Sequence, residues 1–167
     1  MKKSPRRAAR GGFTLIEMMA VVAVIAILAT LALPSIQDRI VRAQIVEAVA
    51  LADIAKPPIA AFWLLSHAMP ADNAAAGLPV AEKIVGNLVT SVSVADGAIS
   101  VTFGNRANGS IRGKVLTLRP AVVEDTPVVP VAWVCGHAGA VEKMTAKGVD
   151  KTDVPDRYLP LNCRAGG

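Results

Sequence analysis

Aromatic residues are scarce in this chain: three Phe, two Trp and one Tyr make up 4% of its 167 residues. None falls between Phe13 and Phe62, so no stack of rings can run along that stretch. Charge is thin as well, at 19%, and no acid precedes Glu17. With 53% hydrophobic residues, the chain is excluded from the disordered and collagen-like classes. The length suits one ordinary domain. A net charge of +5 would point to nucleic acid or an anionic surface, but its location argues otherwise. Lys2, Lys3, Arg6, Arg7 and Arg10 sit in the first twelve residues, and without them 13 basic residues face 13 acidic ones. The basic character is an N-terminal address on a neutral body.

Gly11-Gly12 follow the basic leader, and then a largely apolar run of 21 residues extends from Phe13 to Leu33 before Pro34. As a helix this run spans about 31 Å at roughly 1.5 Å per residue, enough for a hydrocarbon core of about 30 Å. A secretory signal has a shorter apolar core, about 7–15 residues, with an A-x-A-like site after it. The run therefore reads as a retained membrane helix. Basic residues preceding a span stay inside, so everything after Pro34 is exported. Glu17 breaks the pattern as the one ionisable residue between Arg10 and Asp38. A charge at a helix centre costs roughly 2.5–3.5 kcal/mol on insertion scales, less near the membrane face. Snorkelling to the headgroups is the plain reading; the functional one needs a cation, and no Lys or Arg follows until Arg39. A cut before Phe13 would create an α-amine four residues away, a partner for Glu17 on a neighbouring helix.

The basic leader, Gly12, Phe13-Thr14-Leu15-Ile16-Glu17 and the Val/Ile/Leu/Ala run to Pro34 together resemble a type IV prepilin. Pro34, Gln37-Asp38, Arg42-Ala43-Gln44 and Glu47-Ala48 resemble the start of the exposed helix in the type IVa group. Gly113-Lys114, Leu116 to Pro120, Trp133-Val134-Cys135 and Tyr158-Leu159-Pro160 ahead of Cys163-Arg164 are similar to that group's C-terminal part. The resemblance implies a cut between Gly12 and Phe13 by a prepilin peptidase, N-methylation of Phe13, and docking through Glu17 during assembly. It also implies a kink at Pro34 and an inner-membrane assembly platform as partner. The product is a homo-oligomeric helical filament whose subunit waits in the inner membrane with its head exported, then leaves as an extracellular pilus. Adhesion, twitching motility and DNA uptake are what such fibres do. No enzyme activity, cofactor or specific nucleic acid is expected. Three departures stand out: Ala26 where the family usually has Gly, Ile36 and Arg39 where it has aromatics, and Pro57-Pro58 inside the expected long helix.

Val41, Ile45, Val49 and Ala52 recur at helical spacing over Asp38 to Lys56, with Arg39, Arg42, Glu47 and Asp53 between them. Proline inside a helix costs about 3 kcal/mol, so a bend is expected at Pro57 with helix resuming over Ile59–Leu65. The period then changes to two. Thr90–Val94, Asp96-Gly97 and Ala98–Phe103 read as a hairpin with a type I′ turn. Ile111–Leu118 and Val128–Val134 read as further strands, with Pro130 at an edge or strand start. The expected fold is α+β: a long helical spine packed on an antiparallel sheet of about four strands, with a disulfide-closed C-terminal loop. The divisions are residues 1–12 (leader), 13–34 (membrane and assembly helix), 35–65 (amphipathic exported helix) and 66–167 (head). In an oxidising compartment a Cys135–Cys163 bridge is the default, and the chain-entropy account gives roughly 3.5 kcal/mol for that loop.

Other clusters read more plainly. Cys135, His137 and His67 lack the short paired spacing of a zinc site. Asn108-Gly109-Ser110 matches a glycosylation sequon, but an exposed loop explains it better. Arg106, Arg112, Lys114 and Arg119 read as a solvated sheet face rather than a DNA contact. Trp63 and Trp133 read as core anchors. Alternatives to the pilin reading are a type II secretion pseudopilin, which shares the N-terminal signature, a minor pilin, and a membrane-anchored periplasmic enzyme or binding protein.

Overall fold

The computed structural model describes residues 12–166, with backbone only over 31–35. Leader residues 1–11 lie outside that range. The chain divides into two compact units after Gln37. Helix α1, Leu15–Ala52, is 38 residues long and crosses the division. The helical backbone includes Pro34, but the side chains of residues 31–35 lie outside the described set, and with them the kink expected there.

In the first unit α1 is apolar and exposed: Leu15 is 78%, Val22 60% and Leu28 59% accessible. In the second unit the same helix turns amphipathic. Val41, Ile45, Ala48 and Ala52 are buried, and the line continues through a 3₁₀ turn at Asp53–Ala55 into α2, Lys56–Ser66, by way of Ala55, Ile59 and Trp63. Intervals of three and four keep all seven on one face. Ala48, rather than Val49, occupies the buried place; Val49 is half-buried at its edge. By length and composition Ile36–Ser66 would also pass for a membrane span. Its buried face packs on the sheet and its other faces carry Arg39, Arg42, Glu47 and Asp53, so it is the head's core helix.

Pro57 and Pro58 follow the break expected in the long helix, the 3₁₀ turn at Asp53–Ala55. They lie in the first turn of α2, where the missing N–H groups would have had no intrahelical partner. The helix ends at His67, whose left-handed φ of 55° lets its N–H bond to the Trp63 carbonyl at 2.9 Å.

The sheet is antiparallel in the order β1-β2-β3-β4: Val89–Ala95, Ala98–Phe103, Val115–Val122 and Ala132–Cys135. A two-residue β5, Thr145–Ala146, adds to β3. The expected hairpin forms with Ala95 opposite Ala98, and Asp96 (φ 48°) and Gly97 (φ 78°) supply the two positive angles of a type I′ turn.

Two strand boundaries differ from the pattern. Ile111–Lys114 is a turn, since the Ile111 N–H bonds to Asn108, the Lys114 N–H bonds to Ile111 and Gly113 has φ 76°. Strand β3 thus starts at Val115 and runs on through Pro120. That proline fits because its carbonyl accepts from Lys147, so its nitrogen also faces the β5 side, away from the β4 ladder. Strand β4 begins only at Ala132, because Pro127 and Pro130 remove donors from the segment before it. One core joins helix and sheet, with Ile45, Ile59, Ile99, Ile111, Leu116 and Leu159 fully enclosed.

Candidate functional site

The N-terminal site is built at the first turn of α1. Thr14 is the residue before the helix, and its carbonyl accepts from the Met18 N–H at 3.2 Å. The Thr14 hydroxyl accepts from the Glu17 N–H at 3.3 Å. In return one Glu17 carboxylate oxygen, Oε2, accepts from the Thr14 N–H at 2.8 Å and from its hydroxyl at 2.7 Å. This is a reciprocal capping box. The signal was present as Thr-x-x-Glu ahead of an apolar run, and the membrane cost of an acid obscured it. Oε1 makes no hydrogen bond among the described residues. The carboxylate is exposed, satisfied on one side and open on the other.

Gly12 and Phe13 precede this box. A Cβ on Gly12 would meet nothing within 4 Å, so no described neighbour requires glycine there. Phe13 is 81% accessible, and its ring is not a core residue of the subunit.

The second site is the C-terminal loop. Cys135 and Cys163 are joined, with Cα atoms 4.5 Å apart. The His137 N–H bonds to the Cys163 carbonyl, and a Cβ on Gly136 would lie 2.7 Å from that same oxygen. Residues 151–153 run beside β3 on side-chain bonds: the Thr117 N–H to the Thr152 hydroxyl, the Lys151 N–H to the Thr117 hydroxyl, and the Val115 N–H to Asp153. From α1, the Arg42 guanidinium donates twice to the Arg157 carbonyl, at 3.0 and 2.6 Å. Asp150 accepts from the Thr152 N–H at 2.9 Å and meets His137 Nδ1 at 2.8 Å. Partial burial raises the Asp150 pKa, but hydrogen bonds from Thr152 and then His137 outweigh it, holding the carboxyl below its ordinary value.

The remaining candidates separate. The disulfide takes both thiols that a metal site would need, and His67 stands at the end of α2. The four basic residues do not form one solvated face. Lys114 pairs with Asp153, while half-buried Arg119 donates to the carbonyls of Gly136 and Ala138. The Asn108 side-chain oxygen accepts from the Ser110 N–H at 2.9 Å, and the Asn108 N–H donates to the Gln44 side-chain oxygen of α1 at 2.9 Å. Trp63 is buried; Trp133 is half-buried under the Lys56 ammonium. Asn73 is buried and ties the Pro79 and Val92 carbonyls and the Val94 N–H together.

The chain thus combines an exposed apolar N-terminal helix, consistent with membrane anchoring, with a disulfide-closed α+β head. A family profile described as pilin (bacterial filament) matches residues 41–164, and one for the prokaryotic N-terminal methylation motif matches residues 7–33. The chain is 34% identical to a fimbrial protein of Neisseria meningitidis serogroup B over 162 residues, 92% of this chain and 93% of that one. It is 34% identical to the type IV major pilin protein PilE of Neisseria gonorrhoeae over 164 residues, with the same coverage. A fimbrial protein of Eikenella corrodens, EcpC, is 34% identical over 92% of this chain and 90% of its own. The chain belongs to the type IV pilin family and is a structural subunit of a pilus filament.

Proposed function

We propose that the chain is a prepilin cut between Gly12 and Phe13, methylated at the Phe13 amine and then drawn from the inner membrane into a surface fibre. The observation that carries this is the half-open carboxylate of Glu17. Thr14 satisfies Oε2, while Oε1 is left for the amine that cleavage creates on a neighbour. A carboxylate left unpaired in an apolar environment is penalised far more than a paired one, so the acid selects an assembled state over a lipid-dispersed one. Gly12 suits the assigned cut, because a residue without a side chain lets a protease approach the backbone closely. Prepilin peptidase and an inner-membrane platform are the partners this sequence of events requires. Residues 13–34 serve as anchor and assembly helix, and residues 35–65 and 66–167 as exported helix and head. The fibre serves adhesion and twitching motility.

Mass spectrometry of the mature N-terminus tests this. The expected mass begins at Phe13 and carries one methyl group. Replacing Gly12 with Leu should leave the precursor mass unchanged; a normally trimmed product from that variant rejects the cut.

A further inference from the structure

Asn108-Gly109-Ser110 stands at the start of the turn that leads into β3, and the filament reading makes no use of it. Asn108 is half-buried, while Gly109 and Ser110 are exposed. The bond from the Ser110 N–H to Asn108 Oδ1 folds the side chain back over the Asn108–Gly109 peptide and brings its amide carbon, Cγ, toward the Gly109 nitrogen. The same N–H is placed to steady negative charge that develops on Oδ1. Among the described residues the Gly109 N–H donates to nothing, and neither does the Asn108 amide nitrogen, Nδ2. A Cβ on residue 109 would meet nothing within 4 Å, so the space there is open.

The other asparagines lack this combination. At Asn105, in the same loop, Nδ2 donates to the Gly86 and Val89 carbonyls at 2.9 and 3.0 Å. The next nitrogen, that of Arg106, donates to the Asn87 carbonyl at 2.9 Å. Asn73 is buried, with Nδ2 on two carbonyls and Oδ1 on the Val94 N–H. Asn87 and Asn162 are followed by the buried side chains of Leu88 and Cys163. A side chain on the following residue crowds its nitrogen, and Asn108 alone is followed by glycine.

We propose that Asn108 is a self-modifying site that turns slowly into aspartate and isoaspartate. The Gly109 nitrogen attacks Cγ of Asn108 and a new N–C bond forms. The Cγ–Nδ2 bond breaks, and Nδ2 leaves as ammonia with the proton that the Gly109 nitrogen gives up. The cyclic succinimide then takes up one water. Opening at Cγ leaves aspartate, and opening at the other carbonyl leaves isoaspartate, with the chain rerouted through Cγ. In the second product the carbonyl that accepts from the Ile111 and Arg112 N–H groups leaves the main chain as a free carboxylate. Either product adds a negative charge next to Ala107, whose carbonyl the Arg112 guanidinium holds at 3.1 Å. The reaction needs neither a fibre nor an enzyme, so it stands apart from the filament reading.

Full-length subunits held in detergent at neutral pH over a series of days test this by peptide mass spectrometry. Digestion in heavy-oxygen water marks any conversion that happens during preparation. The fragment covering residues 105–112 should gain, at residue 108, the mass of an NH2 exchanged for an OH. It should separate into two forms, of which protein isoaspartate methyltransferase labels one, while Asn105 keeps its amide. No gain at residue 108, a glycan on Asn108, or conversion of Asn105 at the same rate overturns the proposal. Gly109→Ala fits the open space and should slow conversion about tenfold by crowding the nitrogen, with the thermal melt of the head unchanged. Equal rates in that variant and the native chain also overturn it, and where the variant does not fold, residue 108 against Asn105 in the native chain decides alone.

Discussion

Helix α1 contains two stretches that solve the same problem in opposite ways. From Leu15 to Leu28 its Val, Ile, Leu and Met residues are all exposed within the subunit. From Val41 to Ala52 one apolar line, Val41, Ile45, Ala48 and Ala52, is buried against the sheet. Both stretches are apolar enough to need cover, at about 25 cal/mol per Å² of surface kept from water. The second stretch finds its cover inside the chain, and fixed intervals of three and four are the signature of a single internal partner. The first shows apolar residues on every side and one acid near its start. Such a pattern fits an environment that surrounds the helix, first lipid and then other copies.

The contrast breaks most decisively at Glu17. Glu17→Val should insert into the membrane as well as or better than the native chain, because the acid costs up to roughly 2.5–3.5 kcal/mol there. Its fibres should be lost. Normal fibres from this variant, counted after shearing, would show that the membrane half needs only greasiness. Thr14 sharpens the same point. Thr14→Val removes the hydroxyl from the capping box at nearly constant shape, a loss of about 1 kcal/mol in helix-end stability, while Thr14→Ser keeps it. Fibre yield should follow the hydroxyl.

A paired substitution compares the two stretches directly. Ile45 is fully buried and Ile25 is 58% accessible. Ile45→Ala should lower the unfolding free energy of the head by about 2–5 kcal/mol. Ile25→Ala should leave head unfolding unchanged. Thermal melts of detergent-held subunits give both values, and equal shifts would mean that the two halves of the helix share one folding unit.

Much of this was legible in the sequence because it depends on local periods and on turn chemistry. The hairpin at Asp96-Gly97 follows from positive φ at both turn residues, and the buried line of the head follows from helical spacing. What the pattern missed has particular causes. Apolar alternation over Ile111–Leu118 ignored Gly113, whose conformation ends a turn before the strand begins. Val128–Val134 is rich in β-branched residues, but Pro127 and Pro130 withhold donors until Ala132, leaving a short β4 at the sheet edge that Pro130 implied. The prolines at 57 and 58 do follow a break in the α-helix, but helix resumes already at Lys56, because in a first turn prolines lack no N–H that the helix uses. The tie from Arg42 to the Arg157 carbonyl joins residues 115 apart, and no local rule reaches that far.

The smallest effect is expected in the C-terminal loop, where Asp150 links residues near the disulfide. Its carboxyl ordinarily has a pKa of 3.8 and is held lower in the folded head. The folded state therefore binds its proton less readily than the unfolded state does. Stability from this group is fully present above the ordinary value and drains away as pH falls through it and then through the lowered one. Asp150→Asn keeps the shape but has no proton to gain, so its stability should fall less steeply below about pH 4 than that of the native head. The exposed apolar stretch of α1 holds no part of this equilibrium, so adding Ile25→Ala should leave the pH profile of head unfolding where it was. A profile that moved with Ile25 would mean that the loop senses the membrane half, and the division at Gln37 would then not separate two energetic units.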